Sequence, residues 1–205
     1  GYSYAEEDKT GSWHGVSPFD VRTGKSLSQM PMGHASWSEV MSSTLTSLAA
    51  KNKDIVAITP AMKSGSKLQN FFDKYPERSF DCGIAEEHAM TFAAGLAVSG
   101  KRPFFSVYFS FLPRAYDQIK HYVARMNLPV VIGIDSCGLV GEDGETHHGV
   151  FDIAMLRHIP NMILSQPKDA KEAQNLLYSA FQQKEHPYAI RYPRGNVPFE
   201  KAKEY

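Results

Sequence analysis

The sequence predicts an α/β fold, a parallel sheet covered by helices on both faces. Three observations lead there. Strand-like and helix-like segments alternate along the chain, the order that gives a parallel sheet with crossover helices. The central strand-like runs, 55–59, 104–108 and 129–135, are almost continuously apolar instead of alternating, as strands buried on both faces are. The 205 residues are 42% hydrophobic and 21% charged, the balance of a globular domain.

Each element has a local signal. Ser36 and Glu39 have capping-box spacing ahead of a helix through about residue 50. A strand at 55–59 is closed by Pro60, which cannot continue a ladder. A helix follows at 68–74, a strand at 79–82, a helix at 85–98, a strand at 104–108 and a helix at 112–125. The run 129–135 is the most strand-like in the chain, and a polar, glycine-rich loop, 136–149, comes after it. A short helix at 153–158, a strand at 162–165, a helix at 169–183 and a strand at 189–192 complete the series. Residues 1–35 differ: they hold Gly1, Gly11, Gly15 and Gly24, several serines and no apolar period. They read as a linker arm ahead of a domain at 36–205. Trp13 and Phe19 in this polar stretch suggest an arm that docks onto something.

Charge and cysteine content exclude several classes. Lysine plus arginine equals aspartate plus glutamate, 22 each, so no general field draws nucleic acid or anionic lipid. No apolar run approaches the roughly 20 residues of a membrane span, and the acidic, polar start carries no visible signal peptide. Cys82 and Cys137 are the only cysteines. They predict neither a disulfide framework nor a thiolate metal site, but two buried thiols in a reducing cytoplasm.

In parallel sheets, ligands gather at the carboxyl ends of strands. The loops after Cys82, Tyr108, Asp135 and Tyr192 are therefore the places to search. After Cys82, Glu86 and Glu87 open an apolar helix. Acids there offset the helix dipole, but neighbouring residues point about 100° apart. Glu86 shares its face with Met90, Ala93 and Ala97, and Glu87 with Thr91, Ala94 and Val98. Glu86 is the acid expected to be buried, and buried carboxylates tend to mark sites. After Asp135, glycines recur at 138, 141 and 144, which is not the dinucleotide fingerprint. Glu142, Asp143 and Glu145 make that loop a poor phosphate cradle. Its His147 and His148 lack a third ligand at recognisable spacing, so acid/base work by one histidine beside Asp143 is favoured over a metal. Arg114, Arg191 and Arg194 stand after strands, where guanidinium groups can clamp phosphate. Taken singly, each is more often a surface ion pair.

At these places the sequence resembles the thiamine diphosphate-dependent, transketolase-like enzymes, and among them most nearly the 1-deoxy-D-xylulose-5-phosphate synthases. DCGIAEEHAMTFAAGLA, YFSFLPRAYDQ, GLVGEDGETHHGVFD and RYPRGN stand in the order that the family's central, pyrimidine-binding domain has them. The stretch WHGVSPFDVRTGK resembles the family's linker into that domain. The resemblance implies that Glu86 hydrogen-bonds N1′ of the cofactor's aminopyrimidine and that Phe111 packs on that ring. It implies that Tyr108 and Arg194 lie near the acceptor's sugar phosphate, and that Arg114 is a site arginine serving cofactor or substrate. His147 and Asp143 match a histidine and an aspartate that face substrate, and His14 a linker histidine that reaches the site.

The whole enzyme of such a family condenses pyruvate, with decarboxylation, and glyceraldehyde 3-phosphate for isoprenoid, thiamine and pyridoxal precursors. It works as a homodimer, with Mg²⁺ held by a first, diphosphate-binding domain. This sequence has no GDG…N signature of that domain, so it is expected to be a central piece, cut or naturally split, inactive alone. Ser136 stands where the family usually has a phosphate-binding arginine, and Pro113 where glutamine is usual. Ser136 favours a transketolase-like ketol transfer instead, while RYPRGN and YFSFLPRAYDQ oppose it. A non-catalytic scaffold half is a third reading, opposed by the presence of Glu86, His147 and Arg194.

Overall fold

The computed structural model describes residues 2–8, 13 and 15–202. In chain order its elements are α1 (Ser3–Glu6), β1 (His34–Ser36), α2 (Trp37–Lys51), β2 (Ile55–Thr59), α3 (Gln69–Lys74), β3 (Ser79–Asp81), α4 (Glu86–Val98), β4 (Arg102–Tyr108), α5 (Tyr116–Gln118), β5 (Val131–Cys137), α6 (Asp152–Leu156), β6 (Ile163–Ser165), α7 (Ala170–Gln182), β7 (Tyr188–Pro193) and β8 (Asn196–Pro198). Six strands form one sheet in the order β3-β2-β4-β5-β7-β6. Every pairing within it is parallel.

The apolar strands divide their side chains by parity, as the pleat requires. Ala57, Phe104, Val131 and Ile190 face one core with α2, α3 and α7. Ile58, Phe105, Ile132 and Ala189 face the other with α4 and the segments around α5 and α6. Gly133 in mid-strand makes room for a ring: a Cβ there would lie 2.5 Å from Cζ of Phe104. Helix α2 starts where the spacing predicts it, with Ser36 Oγ accepting from the Glu39 N–H at 3.1 Å. Asp169 caps α7 in the same way, at 2.7 Å to the Glu172 N–H.

Three differences from the sequence reading stand out. The helix expected at 112–125 is broken into a 3-10 stretch at Phe109–Ala115, α5, and a π-helical stretch at Ile119–Ala124. Pro113 lies in the first of these and lacks the N–H an α-helix would use. Strands β1 and β8 pair antiparallel, Ala35 opposite Val197, and form a second small sheet. The arm is also more than an extended linker. Tyr4, Trp13 and Phe19 pack on one another, with Trp13 centroids 4.8 Å from each of the other two.

Candidate active site

The site is built where the carboxyl ends of β4, β5 and β7 meet the start of α4. After β3 the chain turns at Gly83, whose φ of +67° suits glycine, and enters α4. Glu86 is the first residue of that helix and only 2% exposed, whereas Glu87 is exposed. Met90, Ala93 and Ala97 below Glu86 are buried as the helical spacing predicts, while Thr91 and Val98 on the Glu87 side face solvent and Ala94 is buried as well.

Arg114, from the 3-10 stretch after β4, places Nη1 3.3 Å from both oxygens of the Glu86 carboxylate. Its guanidinium carbon lies over the Phe111 ring, 5.5 Å from the centroid. His147 meets the same ring edge-on at 5.9 Å. Glu86, Arg114, Phe111 and His147 therefore form one continuous chain of contacts. The His147 Nδ1 is 2.9 Å from Thr146 Oγ1. The neighbouring His148 differs: its Nδ1 accepts the Val140 N–H at 3.1 Å and holds the loop. Gly138 and Gly149 close that loop through a pair of backbone hydrogen bonds at 2.8 and 2.7 Å.

A second group lies at the ends of β4, β5 and β7. Asp135 is 2% exposed. Its carboxylate accepts from Ser38 Oγ at 2.7 Å and from Ser136 Oγ at 3.1 Å. Burial pushes its carboxyl up to about 6, against the lowering effect of these two hydroxyls and of Arg194. Ser136 sits in left-handed backbone, φ 58°. Arg194 pairs with Asp143 and reaches the Val140 carbonyl. The Tyr108 hydroxyl is pushed up to about 12, by burial first and then by Asp135 and Asp143.

Arg191, the other strand-end arginine, belongs elsewhere. It is bound to the fully buried Asp152 at 2.5 and 3.2 Å and to Gln166. By strand parity it points to the opposite face from Ile190 and Tyr192, toward α6. His14 lies outside the described residues. The signal missed in the sequence is Asp135 with Ser38: an aspartate ending an otherwise apolar strand is itself a sign of a buried acid needing donors.

The donor set fits an aminopyrimidine. The Arg114 guanidinium is planar, donates N–H to the Glu86 carboxylate and lies over the Phe111 ring. Those are the two contacts that an aminopyrimidine would need. Among the described residues, no group of three His, Cys, Asp or Glu side chains could hold a metal ion. No helix among them is long and apolar enough to cross a membrane. Both cysteines are free thiols pushed up chiefly by burial, but only Cys137 is buried as expected; Cys82, just past the end of β3, is half-buried.

The family model described as transketolase, pyrimidine binding domain, matches residues 34–200. The 1-deoxy-D-xylulose-5-phosphate synthase of Geobacillus sp. (strain WCH70) is 55% identical over 196 residues, 96% of this chain and 31% of that protein. The enzyme of the same name from Listeria monocytogenes serotype 4b is 56% identical over 198 residues, 97% of this chain and 32% of that protein. The chain thus spans about a third of the length of the curated relatives it matches. Among solved structures, a split gene transketolase, described as an inactive beta4 tetramer, matches with a TM-score of 0.72 and 31% identity, over 83% of this chain and 55% of that one. A Pichia stipitis transketolase in complex with sedoheptulose 7-phosphate has a TM-score of 0.74 at 17% identity, over 82% of this chain and 27% of that one, a likeness of fold alone. With its six-stranded parallel sheet and a family match over most of its length, the chain belongs to the transketolase pyrimidine-binding domain family.

Proposed function

We propose that this chain is the pyrimidine-binding part of a 1-deoxy-D-xylulose-5-phosphate synthase. That enzyme condenses pyruvate, with loss of CO₂, and glyceraldehyde 3-phosphate for isoprenoid, thiamine and pyridoxal precursors. The partner on this reading is the enzyme's diphosphate-binding domain, which would hold Mg²⁺, in a cytoplasmic homodimer. The observation that carries the proposal is the buried Glu86 carboxylate sharing a planar cation with Phe111 at a strand end, together with the likeness to curated synthases.

When bound, thiamine diphosphate supplies the electron sink that decarboxylation of a 2-oxo acid needs. Glu86 would hold a proton toward N1′ of its aminopyrimidine, and Phe111 would offer that ring a face. Arg114, whose side chain is half exposed, turns from Glu86 toward solvent and substrate to make room. With Nδ1 engaged by Thr146, His147 keeps Nε2 for proton exchange with a substrate oxygen. Tyr108 and Arg194 serve the acceptor, and Asp143 holds the Arg194 guanidinium in place. The resemblance assigns His14, outside the described residues, to the same site.

The test is Glu86→Ala in the complete enzyme. Turnover is abolished while the domain keeps its fold; near-normal turnover by a folded variant overturns the assignment. A second reading has support from one neighbour, the split gene transketolase whose solved form is an inactive tetramer. On that reading this chain is one subunit of a two-chain enzyme. A diphosphate-binding motif encoded in a separate reading frame, and not upstream in the same one, decides for it.

A further inference from the structure

The loop between β2 and α3 carries glycine where its backbone does not demand one. Ala61 and Lys67 are left-handed, with φ of 61° and 55°, although neither is glycine. Gly65 between them is not left-handed. What Gly65 provides is space. A Cβ at that position would collide with the Tyr108 hydroxyl oxygen and lie 2.8 Å from its Cζ. The same loop grips Tyr108 a second time, through Met62 Sδ, which accepts the Tyr108 N–H at 3.2 Å. The loop is itself fixed. One oxygen of Asp81 accepts from the Ala61 N–H at 2.9 Å and from the Gly83 N–H at 3.1 Å. A single carboxylate thus joins this loop to the turn that delivers Glu86.

We propose that Gly65 is a positioning residue for Tyr108: by leaving room for the phenol it sets where the hydroxyl points, and so shapes the acceptor side of the site. This rests on the proposed role of Tyr108 at the acceptor. No hydrogen bond among the described residues holds the Tyr108 hydroxyl, so its direction is left to packing. Gly65 lies directly against it in that packing. Any side chain there drives the ring off its rotamer or the loop off β4.

Two measurements test this. In thermal melts of the chain, Gly65→Ala lowers the midpoint, and the loss shrinks when Tyr108 is replaced by alanine, because the clashing atoms are gone. Should Gly65→Ala fail to fold alone but fold in the Tyr108→Ala background, the coupling is demonstrated in stronger form. Equal losses in both backgrounds overturn the proposal. In the complete enzyme, Gly65→Ala raises KM for the aldehyde acceptor about tenfold, the worth of one misplaced hydrogen bond, and leaves KM for pyruvate within about twofold. KM values that rise together, or neither rising, also overturn it. A wild-type enzyme with no synthase activity would defeat the functional reading, while the melts would still decide the contact.

Discussion

Arg114 Nη1 stands equidistant from the two carboxylate oxygens of Glu86, 3.3 Å from each. The acid is almost wholly buried, and the guanidinium side chain is 52% exposed. A carboxylate taken out of water needs a partner, and here the partner comes from a neighbouring loop. Its exposure leaves it able to exchange that carboxylate for another acceptor without opening the core.

Removing the partner therefore has a measurable cost. Arg114→Ala is expected to destabilise the chain by about 1–2 kcal/mol, less than the roughly 3–5 kcal/mol of a fully buried pair, because water screens the guanidinium. In the Glu86→Gln background the same change costs clearly less. Urea melts of the four chains give the coupling. Strictly additive losses would mean that the contact contributes nothing.

Arg194 is the strand-end arginine that remains for an acidic ligand. It pairs with Asp143, both side chains being partly exposed, so a phosphate can compete for it. On the proposed function, Arg194→Ala in the complete enzyme is expected to raise KM for the phosphorylated acceptor by roughly 10–100-fold, the range of one charge-assisted hydrogen bond, with little effect on KM for pyruvate. Equal effects on both substrates would remove the phosphate role. Ser136→Arg should lower the acceptor KM, since it adds a second guanidinium beside Asp135.

How far these features could be read from sequence depends on what fixes each. The sheet was legible because strands buried on both faces must be apolar throughout, and Ala57 with Ile58, or Phe104 with Phe105, then fall into opposite cores. The contrast between Glu86 and Glu87 was legible from helical spacing alone. The pairing of β1 with β8 was not: each is three residues long, too short for a period, and they lie at opposite ends of the domain. Nor was the divergence of Arg191 and Arg194. Arg191 is claimed by Asp152, an acid buried by the packing of α6, and no local spacing encodes that. The Ser38–Asp135 bond likewise joins distant parts of the chain.

Asp135 gives a pH dependence with a definite sign. Its carboxyl is raised from 3.8 to about 6 by burial, with Ser38, Ser136 and Arg194 acting against the rise. A raised carboxyl means that the folded state holds its proton where the unfolded state has lost it. The contribution of Asp135 to stability is then most favourable below about pH 4, falls as pH rises through about 6, and levels off beyond, a drop on the order of 2–3 kcal/mol. Asp135→Asn should remove that slope. Ser38→Ala, which deletes a donor to the carboxylate, should move the window upward. Denaturant midpoints across this pH range check both; an unchanged slope in Asp135→Asn would exclude Asp135 as the group responsible.

The last expectation concerns the chain by itself. Two separate cores, on either side of a continuous parallel sheet, give it the means to fold alone. What it offers thiamine diphosphate is narrow: the Glu86 carboxylate, the Phe111 face and an Arg114 that must first be displaced. The diphosphate would carry most of the binding energy, through Mg²⁺ and backbone donors. Carboxylates in the loop after β5 oppose it: Asp143 is already paired with Arg194, and Glu145 is exposed. A pyrimidine site open to water also weakens the hydrogen bond to N1′, since solvent screens it. Calorimetric titration of the chain with thiamine diphosphate and Mg²⁺ is therefore expected to show weak binding and no turnover. Adding a separately expressed diphosphate-binding domain should tighten it strongly. Tight binding by the chain alone would mean that its own residues hold the diphosphate.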